Sequence, residues 1–218
     1  MTGERLRRIY RGLRDCYGHQ RWWPGETPFE VMIGAILTQN TAWANVEKAI
    51  DNLRQAGILD ATGIMELESD ELAQLIRPSG YFNIKARRLQ NFCRWYLRQG
   101  GLEELRGWPD DKLRQALLEV NGIGPETADD ILLYAFERPV FVIDAYTRRL
   151  FSRLGLIDHD AGYEALRAWF EDHLGVDVKL FNDFHAQIVI HAKDICRKTP
   201  RCAACCLRDK CPGVQRGN

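Results

Sequence analysis

Apolar residues recur at helical spacing along almost the whole chain, and no two segments form a convincing pair of strands. Short loops join the helical segments, as in a compact helical protein. We therefore predict an all-α fold. The predicted helices cover residues 6–13, 29–37, 45–53, 70–76, 83–99, 111–120, 125–136, 144–154, 163–174 and 179–193.

The charges balance overall but are unevenly distributed along the chain. Thirty Lys and Arg residues match 30 Asp and Glu residues, so the formal net charge is zero. Residues 72–102 contain no acidic side chain, whereas acidic residues collect in 103–130 and 158–177. Such segregation is what a basic surface facing a nucleic acid requires. Solvated helix faces on an ordinary protein are the alternative interpretation.

Hydropathy gives no indication of a membrane protein. No apolar run reaches the roughly 18 residues that span a bilayer, and the first residues lack a signal-peptide pattern. We expect no membrane partner and a cytoplasmic location.

A turn with the sequence Gly122-Ile123-Gly124 separates two predicted helices. Its glycines permit positive φ and leave backbone N–H groups uncovered. Pro125 suits the first position of the next helix, whose N-terminus adds a positive dipole end. Such a turn can hold a phosphate oxygen. A carboxylate at Glu126 is costly beside a phosphate unless it has a function, and Asp144 follows at the start of another helix. Chemistry on a nucleic acid is indicated.

Five of the seven cysteines lie near the end of the chain. Four of them have the spacing C-x5-C-x2-C-x5-C, and four thiolates this close can surround one soft metal centre. Both zinc and a [4Fe–4S] cluster accept four cysteines, so the spacing does not choose between them. Cys206 could take the place of Cys205, at the expense of the C-x2-C unit. The predicted ligands are Cys196, Cys202, Cys205 and Cys211.

Together, these motifs resemble the endonuclease III superfamily of helix-hairpin-helix DNA glycosylases. The resemblance runs from about Phe29 to Cys211 and includes Leu37-Thr38-Gln39-Asn40-Thr41 and Val142-Ile143-Asp144. It implies a six-helix barrel with the hairpin in residues 26–137. Residues 1–25 and 138–218 would form a second helical lobe with a [4Fe–4S] cluster loop. A DNA-binding cleft would lie between the lobes. The implied protein is a prokaryotic monomer that is associated with the nucleoid.

The resemblance also implies the type of reaction. Bifunctional members carry a lysine nucleophile two residues after the second glycine of the hairpin, and this chain has Glu126 there. A carboxylate forms no imine, so a monofunctional enzyme that leaves an abasic site is implied. Asp144 would stabilise the oxocarbenium ion and activate water, with Glu126 a possible accessory. As a helix N-cap, Asp144 also has a purely structural interpretation.

The closest branch of the family by motif is that of the 3-methyladenine DNA glycosylases, which implies a flipped alkylated purine as substrate. Trp22, Trp23 and Trp43 would form the base pocket and favour a cationic base through their ring faces. Core packing is the alternative for any one of these rings. Gln39 or Asn40 would fill the space that the base leaves. The expected contacts to duplex DNA come from Gln39, Asn40, Gly122, Gly124, Lys85, Arg87 and Arg88.

Two other functions fit the same sequence. A uracil or mismatched-thymine DNA glycosylase would keep the fold but line its pocket with hydrogen-bond partners. A non-catalytic protein that binds damaged DNA and holds a structural metal belongs to a different class. His185 and His191 are expected to be structural in each case.

Overall fold

The structure, a computed structural model, describes residues 2–215, and these residues contain helices and no strand. The predicted all-α class is confirmed. The helices are α1 (Thr2–Tyr17), α2 (Pro28–Leu37), α3 (Trp43–Gln55), α4 (Ala61–Glu66), α5 (Ser69–Leu75), α6 (Phe82–Arg98), α7 (Gly101–Arg106), α8 (Asp110–Leu118), α9 (Pro125–Asp130), α10 (Ala145–Arg153), α11 (Tyr163–Leu174), α12 (Val178–Asp194) and α13 (Pro212–Gln215). Single 3₁₀ turns cover Arg77–Ser79, Cys202–Ala204 and Arg208–Lys210, and a π-helical turn covers Ile131–Ala135. None of the helices within residues 2–215 has the length and apolarity to cross a membrane.

Side-chain caps explain where several helices begin. Thr27 accepts a hydrogen bond from the backbone N–H of Glu30 at 3.1 Å, and Asp177 accepts one from Leu180 at 3.0 Å. Asp60 caps α4 in the same way at 2.9 Å. Each cap satisfies a donor that the first helical turn leaves without a partner and stabilises the helix by about 1 kcal/mol.

One compact unit comprises Pro24–Arg138. Its central element is α2, in which every residue from Glu30 to Leu37 is buried. This helix packs against α3, α6 and the π-helical turn, while α6 also covers α4 and α5. An apolar helix surrounded in this way fixes the positions of the loops at its ends.

The second unit combines the described parts of Met1–Trp23 and Pro139–Asn218. Here α12 packs against α1 and α10, and α1 also contacts α11. Aromatic rings fill the core: Phe141 stacks on Phe170 at 4.4 Å between centroids, and Phe151 meets Phe170 edge-on at 4.8 Å. Such pairs contribute about 0.5–1.5 kcal/mol beyond their buried area. They make a rigid support for the segment that leads into α10.

Candidate active site

The Gly122-Ile123-Gly124 turn joins α8 to α9 and is anchored by the Ile123 side chain, which is 5% exposed. Gly122 has a φ of +102°, and a Cβ there would collide with the Arg88 side chain, so glycine is required. Around Gly124 the space that a Cβ would occupy is open. Pro125 is the first residue of α9. At Gly124 the turn therefore presents uncrowded backbone, which suits a phosphate oxygen.

Gln39 connects the loop after α2 to this turn. Its Nε2 donates to the carbonyl of Gly122 at 3.0 Å and to Oγ1 of Thr127 at 2.9 Å. Its Oε1 accepts a hydrogen bond from the Arg88 guanidinium. Both ends of this amide are therefore engaged within the protein. Asn40, in contrast, is exposed on a left-handed backbone with a φ of +54°.

Lys85 does not reach the surface, and its expected role as a phosphate contact is wrong. The side chain is 1% exposed. Its Nζ donates to the carbonyls of Leu37 and Ser79 and to Oγ1 of Thr41, each at 2.7 Å. Burial, and then the charge of Arg88, lower the pKa of Lys85 to about 8. The lysine thus holds two loops of the unit together.

The arginines of α6 do lie at the surface. Arg87 is exposed and Arg88 is half-buried. With Arg94 they line a groove of about 550 Å³ that ends at the hairpin, which we call the basic groove. The remaining residues that line the basic groove are Ile84, Gln90, Asn91, Asn121 and Gly122.

An exposed tyrosine near this groove was missed from the sequence. Tyr81 is 68% exposed and has a φ of +47° just before α6, and Ile84 beside it is 47% exposed. Because Lys85 bonds to Thr41 and Ser79, the segments that carry Asn40 and Tyr81 are held side by side. The detectable signal was an aromatic residue directly after a Pro-Ser-Gly break inside a basic stretch.

Asp144 is the N-cap of α10 and is only 8% exposed. Its Oδ1 accepts a hydrogen bond from the backbone N–H of Thr147 at 2.6 Å. Nε2 of His185, on α12, lies 3.5 Å from its Oδ2. Burial raises the pKa of Asp144, but the hydrogen bond and charge of His185 and the bonds from Thr147 lower it by more, so it lies below its ordinary value. The site thus holds a buried, ionised carboxylate.

The three tryptophans fall in different units. The rings of Trp22 and Trp23 meet edge-on with centroids 5.8 Å apart. Both are half-buried, as is Trp43 at the start of α3. Trp43 lines a cavity of about 480 Å³ with the carboxylates of Glu26 and Glu47.

Side chains of α12 fix the segment that leads to Trp22. Asp183, which is 2% exposed, accepts hydrogen bonds from the Tyr10 hydroxyl at 2.7 Å and from the backbone N–H of Gln20 at 3.2 Å. Gln187 donates to the carbonyl of Gly18. The segment is therefore attached to a helix rather than left as a free loop.

Glu126 lies exposed in the first turn of α9, directly after the hairpin. The hairpin itself is stiffened by a buried ion pair, in which Arg114 Nε donates to Asp129 Oδ1 at 2.6 Å. Asp129 is fully buried, so removing either partner would cost about 3–5 kcal/mol. The ion pair therefore holds α9, whose first turn carries Glu126, against α8.

The four predicted ligand cysteines line one cavity of about 200 Å³, several times the roughly 30 Å³ of a water molecule. Burial, together with the neighbouring thiols, raises the pKa of Cys205. The Cys205 side chain lines this cavity, whereas Cys206 does not. Arg153 donates toward Sγ of Cys196 at 3.3 Å, and His191 Nε2 lies 3.6 Å from Sγ of Cys205.

Apolar side chains share this cavity with the four cysteines. Leu150, Ile195 and Leu207 line it, so the space between the thiols is largely apolar. A four-iron cluster takes one thiolate on each iron and needs such a space, so the residues fit this group.

The sequence matches one protein family and is similar to several known DNA repair proteins. Residues 33–174 match the HhH-GPD superfamily of base excision DNA repair proteins. A candidate DNA repair glycosylase of Methanocaldococcus jannaschii is 47% identical over 211 residues, which make up 95% of this chain and 96% of that protein. An endonuclease III of Sulfolobus acidocaldarius is 28% identical over 185 residues, 84% of this chain and 81% of that protein.

Solved structures agree with the sequence matches. The H. pylori 3-methyladenine DNA glycosylase MagIII, bound to 1,N6-ethenoadenine, is similar with a TM-score of 0.77 and 31% identity, covering 88% of this chain and 97% of that one. A non-covalent endonuclease III–DNA complex gives a TM-score of 0.83 at 22% identity, covering 100% of this chain and 99% of the other. At that identity the second likeness shows the fold alone.

Proposed function

The chain belongs to the HhH-GPD superfamily of base excision DNA repair proteins, and from this premise we propose a monofunctional DNA glycosylase that removes alkylated purines from duplex DNA. The observation that carries the proposal is the buried, ionised carboxylate of Asp144 at the start of α10. The likeness to the 3-methyladenine glycosylase at 31% identity supports alkylated purines as the substrate class.

Asp144 acts on the deoxyribose of the flipped nucleotide. As the N-glycosidic bond breaks, positive charge develops on the sugar, and an ionised carboxylate in a site of low dielectric stabilises it. The same carboxylate orients the water that attacks C1′ and accepts its proton. The amide of Thr147 fixes one carboxylate oxygen, so little reorganisation is needed during the reaction.

Glu126 supports hydrolysis without strand cleavage. An imine needs an amine nucleophile, and the residue in the first turn of α9 is a carboxylate. The product is then an intact strand with an abasic site. An accessory role for Glu126 in orienting the attacking water is part of the proposal.

The base pocket is assigned to Trp22, Trp23 and Trp43. An N3- or N7-alkylated purine carries positive charge, and an indole face attracts such a cation by roughly 0.5–2 kcal/mol. The carboxylates of Glu26 and Glu47 beside Trp43 support a cationic base over a neutral one.

Duplex DNA is bound by the hairpin and the basic groove. The backbone of Gly122 and Gly124 takes one phosphate, and Arg87 with Arg88 neutralises its neighbours. Asn40, whose side chain is exposed, fills the gap in the stack, while Gln39 holds the loop in place. Tyr81 is assigned as an apolar wedge between bases.

Cys196, Cys202, Cys205 and Cys211 would hold a [4Fe–4S] cluster in the cavity that they line. When bound, the cluster supplies four iron–thiolate bonds that cross-link residues 196–211. The loop also carries Arg197, Arg201 and Lys210, which would supply further phosphate contacts. The proposed active species is a monomer on damaged duplex DNA.

A panel of duplexes tests this function. Wild-type protein is incubated with DNA containing 3-methyladenine, 7-methylguanine, 1,N6-ethenoadenine, uracil or a thymine mismatch, and products are resolved with and without alkali. We expect base loss from the alkylated purines and strand breaks only after alkali. Excision of uracil or thymine alone would establish the alternative substrate. Breaks without alkali would refute the monofunctional assignment, and tight binding without any excision would indicate a non-catalytic protein.

A further inference from the structure

His185 lies on α12, a different helix from the one that Asp144 caps, and the two residues are 41 positions apart in the sequence. The imidazole is 4% exposed and the carboxylate 8% exposed. Nε2 of His185 is 3.5 Å from Oδ2 of Asp144, which is within ion-pair distance and longer than an ordinary hydrogen bond. The buried imidazole thus faces a buried carboxylate. An apolar ring would fill the same space equally well, so packing alone does not explain a histidine here.

The two oxygens of Asp144 have different partners. The backbone N–H of Thr147 binds Oδ1 at 2.6 Å, and the imidazole faces Oδ2. A carboxylate removed from water strongly favours its protonated form unless donors or positive charge compensate. His185 is therefore the side chain that offsets burial on the Oδ2 side.

The neighbouring charged groups have partners of their own. On α12, Asp183 is bound by Tyr10 and Arg14 of α1. Arg148 of α10 donates to the carbonyl of Ala161 at 2.6 Å. On α11, Glu171 accepts from the backbone N–H of Phe141 at 2.9 Å and pairs with Arg167. Of these side chains, His185 is the one whose ring nitrogen faces the Asp144 carboxylate.

We propose that His185 is a positioning residue of the glycosylase, which fixes Oδ2 of Asp144 and offsets the burial of this carboxylate. The proposal rests on the proposed function in one respect only, namely that Asp144 is the catalytic carboxylate. The pairing itself is a property of the free protein and can be measured without DNA.

The first experiment is a titration of the Asp144 carboxyl carbon by ¹³C NMR in DNA-free wild type, His185→Phe and His185→Gln, with Asp144→Asn used to assign the signal. Phenylalanine removes the ring N–H groups but keeps a ring, so only the bonds from Thr147 still oppose burial and the pKa of Asp144 should rise by about one unit or more. Glutamine keeps a neutral donor and should give a smaller rise. An unchanged pKa in His185→Phe overturns the proposal.

The second experiment measures single-turnover excision of the fastest lesion in the panel across pH. In His185→Phe the acidic limb of the pH–rate profile should shift to higher pH by as much as the pKa of Asp144 rises. Below that limb the rate should fall about tenfold for each pH unit, and above it the rate should recover. Ile188→Ala, a buried change on the same helix, should reduce thermal stability without moving the limb. An equal slowing of His185→Phe at every pH would mean a merely structural role and would overturn the proposal.

The two failures are distinguishable. If Asp144→Asn excises bases normally, the proposed catalytic role of Asp144 is refuted whatever His185 does. If Asp144→Asn is inactive and the carboxyl titration of His185→Phe matches wild type, only the role of His185 is refuted. Should His185→Phe fail to fold, the titration of His185→Gln decides, because loss of the imidazole must still raise the pKa of Asp144.

Discussion

Replacing Lys85 with methionine removes an ammonium group and keeps an unbranched side chain of similar length. Three oxygens would lose their donor: the carbonyls of Leu37 and Ser79 and Oγ1 of Thr41, each 2.7 Å from Nζ. The Thr41 hydroxyl still donates to the Ser79 carbonyl, so what is lost is three bonds from a charged donor rather than every partner of the three oxygens. At about 1.5–3 kcal/mol for each such bond the loss is roughly 4.5–9 kcal/mol, and relief from burying the ammonium offsets about 3 kcal/mol of it. We expect a net loss of about 1.5–6 kcal/mol, and waters recruited to the site limit the upper end.

The assay is urea unfolding, with Arg87→Met as the matched control. Arg87 lies two residues further along α6 but is exposed, so the same substitution there should change the free energy of unfolding by less than about 0.5 kcal/mol. The salt dependence of DNA affinity should rank the two variants in the opposite order. Arg87→Met should reduce the magnitude of the salt slope by about one, and Lys85→Met should leave it unchanged. A stable Lys85→Met protein with a reduced slope would refute this reasoning and make Lys85 a phosphate contact.

Three further outcomes follow from the same geometry. Gly122→Ala should destabilise the protein by about 1–2 kcal/mol, because alanine is strained at this positive φ, and should displace Arg88. Gly124→Ala should leave stability nearly unchanged and weaken DNA binding. Urea unfolding and binding titrations of both variants check this. Asp183→Ala should raise the KM for excision and leave binding to undamaged DNA unchanged, because the segment leading to the tryptophans loses its anchor; steady-state kinetics check this. Removing iron with an oxidant and chelator should make residues 196–211 sensitive to trypsin while Pro24–Arg138 stays protected, and a colourless, zinc-containing protein would contradict the cluster assignment.

Helical periodicity was sufficient to predict most of the fold. Each of the ten predicted segments contains an observed helix, and α12 was expected at residues 179–193 against an observed Val178–Asp194. The helices α4, α7 and α13 were missed because four to six residues carry too little periodicity to stand out. The segment 125–136 was predicted as one helix, but it changes to a π-helical turn at Ile131, where Phe136 N–H reaches the carbonyl of Ile131 at 3.3 Å. No apolar pattern distinguishes these two helix types.

The prediction that Lys85 contacts phosphate was wrong because it rested on the positive charge of lysine and not on the position of the residue on its helix. Lys85 shares a helical face with Leu89 and Phe92, at spacings of four and seven residues, and both of these are fully buried. The register thus indicated a buried lysine in advance. No comparable signal connected Asp144 to His185, since tertiary packing alone brings α10 and α12 together. Contacts of this kind are not encoded in local patterns, which is why the second residue of the pair came only from the structure.

Asp144 has two roles, as the N-cap of α10 and as the proposed catalytic carboxylate, and the hydrogen bond from Thr147 serves both. The two roles can be separated by experiment. Asparagine is as good an N-cap as aspartate, so Asp144→Asn should keep the bond from Thr147 and the helix, while alanine loses about 1 kcal/mol of cap stabilisation. Neither side chain carries charge, so neither can stabilise positive charge on the sugar. Thermal melts should therefore rank asparagine well above alanine, whereas single-turnover excision should be nearly abolished in both variants. An active Asp144→Asn protein with an inactive, unstable Asp144→Ala protein would mean that the carboxylate is only a cap.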